Sequence, residues 1–444
     1  MKNFIFGTAT SSYQIEGAAT QDGRGPSVWD MFSHTPGKVE RNENGDVACD
    51  HYNRWQEDVG LITDLGVDAY RFSFSWSRLL PEGVGAVNQK GLDFYNNLID
   101  GLLEKGVDPW GTLFHWDLPL TLHEKGGFQN RDIINWFEEY TNLIGTHFGD
   151  RIKNFVVVNE PGVFATHGYL RGVHAPGLTD IDAYNAAVHH LNMIMTRGYK
   201  VLKDLSPTAQ VGSSFAYTVT QPATDSADDK LAAEIAEAYE HGNYLDPLFY
   251  GKYPNISADQ ISPYVKDGDL EQIQGCYDFI GIQHYMPFYA RKDESDIFGV
   301  HRDFETMKTD LPRSSFGWII EPEIFNQALN QMKERYDNPP LYITENGMAN
   351  FDTLENGEIN DQKRIQYFED YISEMLKARE QGVDIRGYFA WSLMDNFEWG
   401  AGYSQRFGLV YVDYDNEQAR IPKNSYHWYA NKIKQLKTGL SQAA

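Results

Sequence analysis

The stretch Phe155-Val156-Val157-Val158-Asn159-Glu160-Pro161 is a run of apolar, mostly β-branched residues that closes on an amide and a carboxylate. A short run with no polar alternation reads as a strand buried on both faces, the habit of parallel sheets. The stretch Leu341-Tyr342-Ile343-Thr344-Glu345-Asn346-Gly347 repeats the pattern, with Glu345 closing it. An ionisable group at the end of a buried strand costs free energy unless something holds it. Glu160 and Glu345 are therefore candidates for chemistry rather than for a solvated surface.

Outward from these two runs, six more of the same kind predict strands near Phe4–Thr10, Ala69–Ser75, Pro109–Phe114, Val211–Phe215, Phe279–Gln283 and Gly387–Trp391. Amphipathic stretches lie between them, among them Tyr52–Leu65, Leu92–Lys105, Asn135–Phe148 and Lys363–Arg379. Strand and helix alternating eight times predict a single (β/α)8 TIM barrel better than an open doubly wound sheet. No Gly-rich phosphate loop follows any strand, against nucleotide binding. No linker, repeat, low-complexity tract or charge block divides the chain, so residues 1–444 are expected to form one catalytic domain. Polar and aromatic residues cluster just after the strands: Gln14, His115-Trp116, Asn159-Glu160, Tyr285, Glu345 and Trp391. Barrel sites gather at the C-terminal ends of strands, so these residues should converge on one mouth.

Composition narrows the classes. With 38 Lys and Arg against 63 Asp and Glu, the net charge of −25 opposes nucleic-acid and anionic-membrane roles. Cys49 and Cys276 offer neither a metal spacing nor a disulfide framework. The N-terminal residues lack the apolar core of a signal peptide, and no long apolar run follows, so a cytoplasmic location is expected. His189-His190 reads as ordinary helix content, and Trp29, Trp55 and Trp136 as packing. No metal or organic cofactor is expected, because no His and Asp ligand cluster marks the strand ends.

Six segments together resemble glycoside hydrolase family 1, the β-glucosidase family, over essentially the whole chain. They are Phe4 to Gly17 (FIFGTATSSYQIEG), Arg71 to Arg78 (RFSFSWSR), His115 to Pro119 (HWDLP), Asn159-Glu160-Pro161, Glu345-Asn346-Gly347, and Trp391 to Trp399 (WSLMDNFEW). The resemblance implies a retaining β-glucosidase acting by double displacement on terminal β-D-glucosyl residues. Its substrates would be cello-oligosaccharides or aryl and alkyl glucosides, with galactosides and fucosides also in range. Glu345 would attack the anomeric carbon while Glu160 protonates the leaving oxygen and later deprotonates water. The two carboxyl groups should then lie roughly 5–5.5 Å apart. Arg71 and Tyr285 would keep Glu345 ionised, and its charge would keep Glu160 protonated until the covalent ester forms. Gln14, His115, Asn159, Glu398 and Trp399 would bind the glycone hydroxyls over Trp391, with Trp116, Trp318 and Phe407 completing the substrate-binding set. Glu398 stands where phospho-β-glycosidases of the family carry Ser, and it would repel a 6-phosphate. Retention of Glu160 argues against the thioglucosidase branch. The remaining alternatives are a 6-phospho-β-glucosidase and a catalytically silent carbohydrate-binding barrel on the same fold.

Three positions depart from the family pattern. Gln283-His284-Tyr285 stands where Asn-Tyr-Tyr is usual, Gly162 follows Glu160-Pro161 where many members have Trp, and Asn350 replaces a Gly. Loss of the ring at 162 is expected to widen or weaken the first leaving-group subsite, with Trp318 as the remaining wall.

Overall fold

The computed structural model describes residues 4–302 and 310–442. Eight parallel strands close into a barrel: β1 (Ile5–Ala9), β2 (Ala69–Ser73), β3 (Asp108–Phe114), β4 (Asn154–Asn159), β5 (Gln210–Ala216), β6 (Phe279–Gln283), β7 (Leu341–Asn346) and β8 (Ile385–Trp391). Each pairs with its chain neighbour, and β1 closes the ring on β8 through Ile5 opposite Gly387 and Ala9 opposite Trp391. All eight expected strands are present. The four expected helices appear as His51–Leu65, Gln89–Glu104, Ile133–Phe148 and Gln362–Glu380.

The helices cover the barrel because their apolar residues recur on one face. In Ile133–Phe148 the buried positions Ile133, Phe137, Tyr140, Ile144 and Phe148 step by three or four, which builds a stripe facing the strands. Burying one such Phe contributes roughly 1.5–3 kcal/mol relative to leaving it in water. Inside the barrel, Trp110 of β3 fills the lumen against Tyr342 (4.8 Å between ring centroids), Phe389 (4.9 Å) and Phe279 (5.7 Å). This aromatic plug forms a floor beneath the C-terminal mouth. Gly7 makes room for it, since a Cβ there would sit 2.3 Å from the Phe389 ring.

Alternation along the strands decides which side chains reach the mouth. Ala69, Phe279 and Phe389 face the lumen, so Arg71, Gln283 and Trp391, each an even step further, face it as well. Strict alternation from Val156 and Tyr342, also lumen residues, would send Asn159 and Glu345 outward. The register shifts between Val156 and Asn159 on β4, and between Ile343 and Glu345 on β7. Such irregularities re-aim a strand end, and here they turn Asn159 and Glu345 inward.

Three short strands outside the barrel, Thr220–Pro222, Phe288–Lys292 and Val300–Arg302, form a separate sheet. No helix among the described residues is long and apolar enough to cross a membrane.

Candidate active site

A cavity of about 620 Å3 opens at the C-terminal mouth, and both Glu160 and Glu345 line it. Around it the structure gathers His115, Trp116, Tyr285, Trp318, Trp391, Glu398, Trp399 and Phe407. Arg71, Gln14 and Asn159 are fully buried and lie behind this wall.

Glu345 is held from two sides. Arg71 donates from Nη1 to Oε1 at 2.7 Å, and the Tyr285 hydroxyl donates to Oε2 at 2.6 Å. Burial raises the Glu345 carboxyl above its ordinary range, while Arg71 and the Tyr285 hydrogen bond oppose the rise. Among the described residues none donates to the Glu160 carboxyl in this way. Burial first and the Glu345 charge second push it well above the usual carboxylate range, with Arg71 opposing and Glu398 adding to the rise. The environments thus part the two carboxyl groups in the direction expected, with Glu160 the one that holds its proton. The expectation for Glu345 needs one adjustment: Arg71 and Tyr285 offset the cost of burial without overturning it.

From Arg71 a chain of hydrogen bonds sets the polarity of its neighbours. A guanidinium only donates, so its Nη2 contact fixes the Asn159 oxygen as acceptor. Gln283 Nε2 donates to the same oxygen at 2.6 Å, and Asn159 Nδ2 lies 3.1 Å from His115 Nε2. Burial, then the Arg71 charge, lowers His115 well below its ordinary pKa, so the imidazole is neutral and accepts at Nε2. The Asn159 carbonyl accepts from Trp116 Nε1 at 2.9 Å. The departure at Gln283 is therefore part of the apparatus that fixes Asn159, next to Glu160. His284 also lines the cavity, with its Nδ1 3.0 Å from the Tyr217 carbonyl.

Gln14 is engaged with the loop after β8. Its Nε2 donates to Asn396 Oδ1 (2.9 Å) and the Phe397 carbonyl (3.0 Å), and its Oε1 accepts from Ser11. Its contact with Glu398 is longer, at 3.4 Å. Burial and the Glu345 charge push the Glu398 carboxyl up to about 8, with Gln14 opposing. Phe407 sits between Tyr285 (5.9 Å) and Trp318 (5.8 Å). Trp399 packs on Trp29 at 4.6 Å and Trp116 at 4.7 Å, so Trp29, read as packing, buttresses the pocket from behind.

Three site residues hold left-handed backbone: Glu160 (φ 44°), Trp116 (φ 76°) and Trp399 (φ 51°). Such conformations cost non-glycine residues on the order of 1–2 kcal/mol each and persist where surrounding structure imposes them. Gly347 allows the closest backbone approach, because a Cβ there would lie 1.9 Å from the Trp391 carbonyl oxygen. Absence of a side chain at Gly162 leaves no hole at that point. A Cβ would lie 2.7 Å from the Glu240 carbonyl oxygen, so the π-helical turn Ala238–Gly242 has closed over the space. Asn350, the third departure, bonds its backbone N–H to the Arg406 carbonyl (3.1 Å) and ties the loops after β7 and β8 together.

Sequence reasoning missed Val163, His167, Val173, Glu240, Met286, Phe288 and Phe316, which also line the cavity. Val163 lies on the short helix after β4 and Phe288 opens the strand Phe288–Lys292, His167 and Glu240 sit in π-helical turns, and Val173, Met286 and Phe316 sit on loops, where no barrel-strand end marks them. Among the described residues no group of three His, Cys, Asp or Glu could hold a metal ion. His189 is committed to Tyr253 (2.8 Å) and Asp269 (2.9 Å).

The sequence profile of glycosyl hydrolase family 1 matches residues 1–438. A β-glucosidase A of Thermotoga maritima is 46% identical over 438 residues, covering 98% of this chain and 97% of that protein. A 1,4-β-D-glucan glucohydrolase of Thermotoga neapolitana is 44% identical and covers 98% of each chain. A solved structure of the family 1 β-glucosidase from Thermotoga maritima superimposes with a TM-score of 0.94 at 45% identity, covering 98% of both chains. Another holds a cyclophellitol analogue described as a transition-state mimic, with a TM-score of 0.93.

Proposed function

The chain belongs to glycosyl hydrolase family 1 and is a β-glucosidase, and from that premise we propose that Glu345 is its nucleophile and Glu160 its acid/base catalyst. The observation that carries this reading is the unequal treatment of the two buried carboxyl groups. Glu345 receives two donors, Arg71 and Tyr285, whereas Glu160 receives a neighbour's negative charge.

Glu345 attacks the anomeric carbon of a terminal β-glucosyl residue while Glu160 gives its proton to the leaving oxygen. Ester formation removes the Glu345 charge, one of the causes of the raised Glu160 pKa. Glu160 then becomes the stronger acid and can take a proton from the water that cleaves the ester. Each displacement inverts the anomeric carbon, so the two together retain its configuration. His115, Trp399 and Glu398 meet the glycone hydroxyls over Trp391, and Gln14 and Asn159 hold that set from behind.

The glycone is unphosphorylated. Among the described residues lining the cavity, Lys38 is the one Lys or Arg, and it lies at the exposed rim, 3.5 Å from the Gly172 carbonyl. A 6-phosphate would find no cation beside Glu398. The reading treats the chain as one catalytic domain, supported by pairing of β1 with β8. A cytoplasmic location is supported by the two free cysteines, Cys49 and Cys276.

The test is to assay wild type, Glu160→Gln and Glu345→Gln on aryl β-glucoside, aryl β-galactoside and aryl 6-phospho-β-glucoside. Wild type should cleave the unphosphorylated glucoside, Glu345→Gln should lose nearly all activity, and Glu160→Gln should suffer least with the best leaving group. Cleavage of the phosphorylated sugar alone would refute the glycone assignment.

A further inference from the structure

Five buried polar atoms on side chains that line the cavity have no hydrogen-bond partner among the described residues: His115 Nδ1, His174 Nδ1, Thr218 Oγ1, Gln283 Oε1 and His284 Nε2. Two of them, at His115 and Gln283, belong to side chains that touch Asn159, the residue before Glu160. A buried polar atom without a partner costs free energy, so a ligand that supplies the missing hydrogen bond is favoured there.

The polarity of both atoms follows from Arg71. Its guanidinium makes the Asn159 side-chain oxygen an acceptor. The Gln283 atom 2.6 Å from that oxygen is therefore its amide nitrogen, which leaves Oε1 as an acceptor on a side chain that lines the cavity. On the other flank of Asn159, His115 accepts at Nε2 and so carries its proton on Nδ1 as a donor. Gln283 closes β6, where its backbone stands in register with Glu345 of β7, and it is 1% exposed. A free acceptor of settled identity thus sits beside the nucleophile.

Resting on the roles of Glu345 and Glu160 above, we propose that Gln283 is a specificity-determining residue whose Oε1 accepts a hydrogen bond from the 2-hydroxyl of the glycone. Glu345 attacks the anomeric carbon, which has two ring neighbours. One is the ring oxygen, which has no proton to give. The other is C2, whose hydroxyl has one, and an acceptor beside the nucleophile is matched to it. As positive charge grows at the anomeric carbon the 2-hydroxyl becomes a better donor, so the bond strengthens towards the transition state. Gln283 stands where the family usually has Asn, and its extra methylene carries the acceptor further from the strand. This chain should therefore depend more heavily on a 2-hydroxyl than a variant with Asn at that position.

The test takes an aryl β-D-glucoside, its 2-deoxy analogue and its 3-deoxy analogue, all with one leaving group, and compares kcat/KM in wild type, Gln283→Met and Gln283→Asn. Wild type should prefer the glucoside to its 2-deoxy analogue. In Gln283→Met that preference should shrink on the order of tenfold, while the preference over the 3-deoxy analogue stays unchanged. Gln283→Asn, which keeps an amide but withdraws it by one methylene, should shrink it in the same direction, and it carries the test should Gln283→Met fail to fold. A 2-deoxy preference undiminished in both variants would overturn the proposal and leave Gln283 as a prop for Asn159. Equal shrinkage for the 2-deoxy and 3-deoxy analogues would overturn it as well, since it would mark a general loosening of the pocket. A wild type that cleaves none of the three would instead sink the catalytic assignment beneath it.

Discussion

Removing the Tyr285 hydroxyl tests how the site keeps its nucleophile ionised. Tyr285→Phe deletes the donor 2.6 Å from Glu345 Oε2 and leaves the Arg71 contact at 2.7 Å in place. Hydrogen bonds to a charged group are worth about 1.5–3 kcal/mol. At 1.36 kcal/mol per pKa unit, the loss should raise the first ionisation of the Glu160–Glu345 pair by about 1–2 units. The sign follows from the roles: the hydroxyl stabilises the charged form, so deleting it favours the proton. Glu345 must be ionised to attack, so the acid limb of kcat/KM against pH should move up. The two limbs belong to the coupled pair rather than to either residue alone, but Glu345, with two donors, ionises first. The assay is a pH profile of kcat/KM on an aryl β-glucoside for wild type and variant. An acid limb that stays put or moves down would refute the reasoning.

Three other consequences follow from the same geometry. Glu345→Gln should lower the Glu160 pKa while leaving it above the ordinary range, because the Glu345 charge is its second cause and burial its first; titration of 13C-labelled Glu by NMR reads this directly. Acid stability should depend on Asp352, which burial disfavours in its charged form but which Lys423 and Arg364 hold down to about 2. Its contribution, on the order of 2 kcal/mol from the shift, is complete above pH ~4 and lost as pH falls through 2. Lys423→Met should weaken that dependence in acid-unfolding curves, Arg364 remaining beside Asp352, and lower the thermal midpoint, since Asp352 and Asp395, each 2.6 Å from the ammonium, lose it together. Gly347→Ala should force β7 away from the Trp391 carbonyl. The cost in stability is about 1–3 kcal/mol, and kcat/KM should fall on the order of 100-fold as Glu345 is displaced; denaturant curves and steady-state kinetics check both.

The eight strands were legible because each is a short apolar run, and boundaries moved by only a residue or two, as when Gly387–Trp391 became Ile385–Trp391. The positions of Arg71, Gln283 and Trp391 follow from plain alternation along their strands. Those of Asn159 and Glu345 do not, since a register shift on each strand turns them inward; their place at the close of apolar runs and their motifs marked them instead. Gln14 was legible as a site residue but not as one whose amide is occupied by the loop after β8, a matter of tertiary contact. The outer wall stayed hidden for the same reason. Val173, Met286 and Phe316 sit on loops without periodicity, brought together by the barrel rather than by spacing. Nor did the sequence announce the buried charge network of Asp352, Arg364, Lys423 and Asp395, whose members lie far apart along the chain yet hold the loops after β7 and β8 in register.

The most direct test of the central claim is to find the atom that carries the sugar. Glu160→Gln, given an aryl β-glucoside with a very good leaving group, should form the ester and stall before water can cleave it. Rapid quenching and peptide mass mapping should then place one glucosyl group on the peptide containing Glu345. A glucosyl group on any other residue, or rapid turnover that releases the α-anomer with no adduct, would contradict double displacement through Glu345.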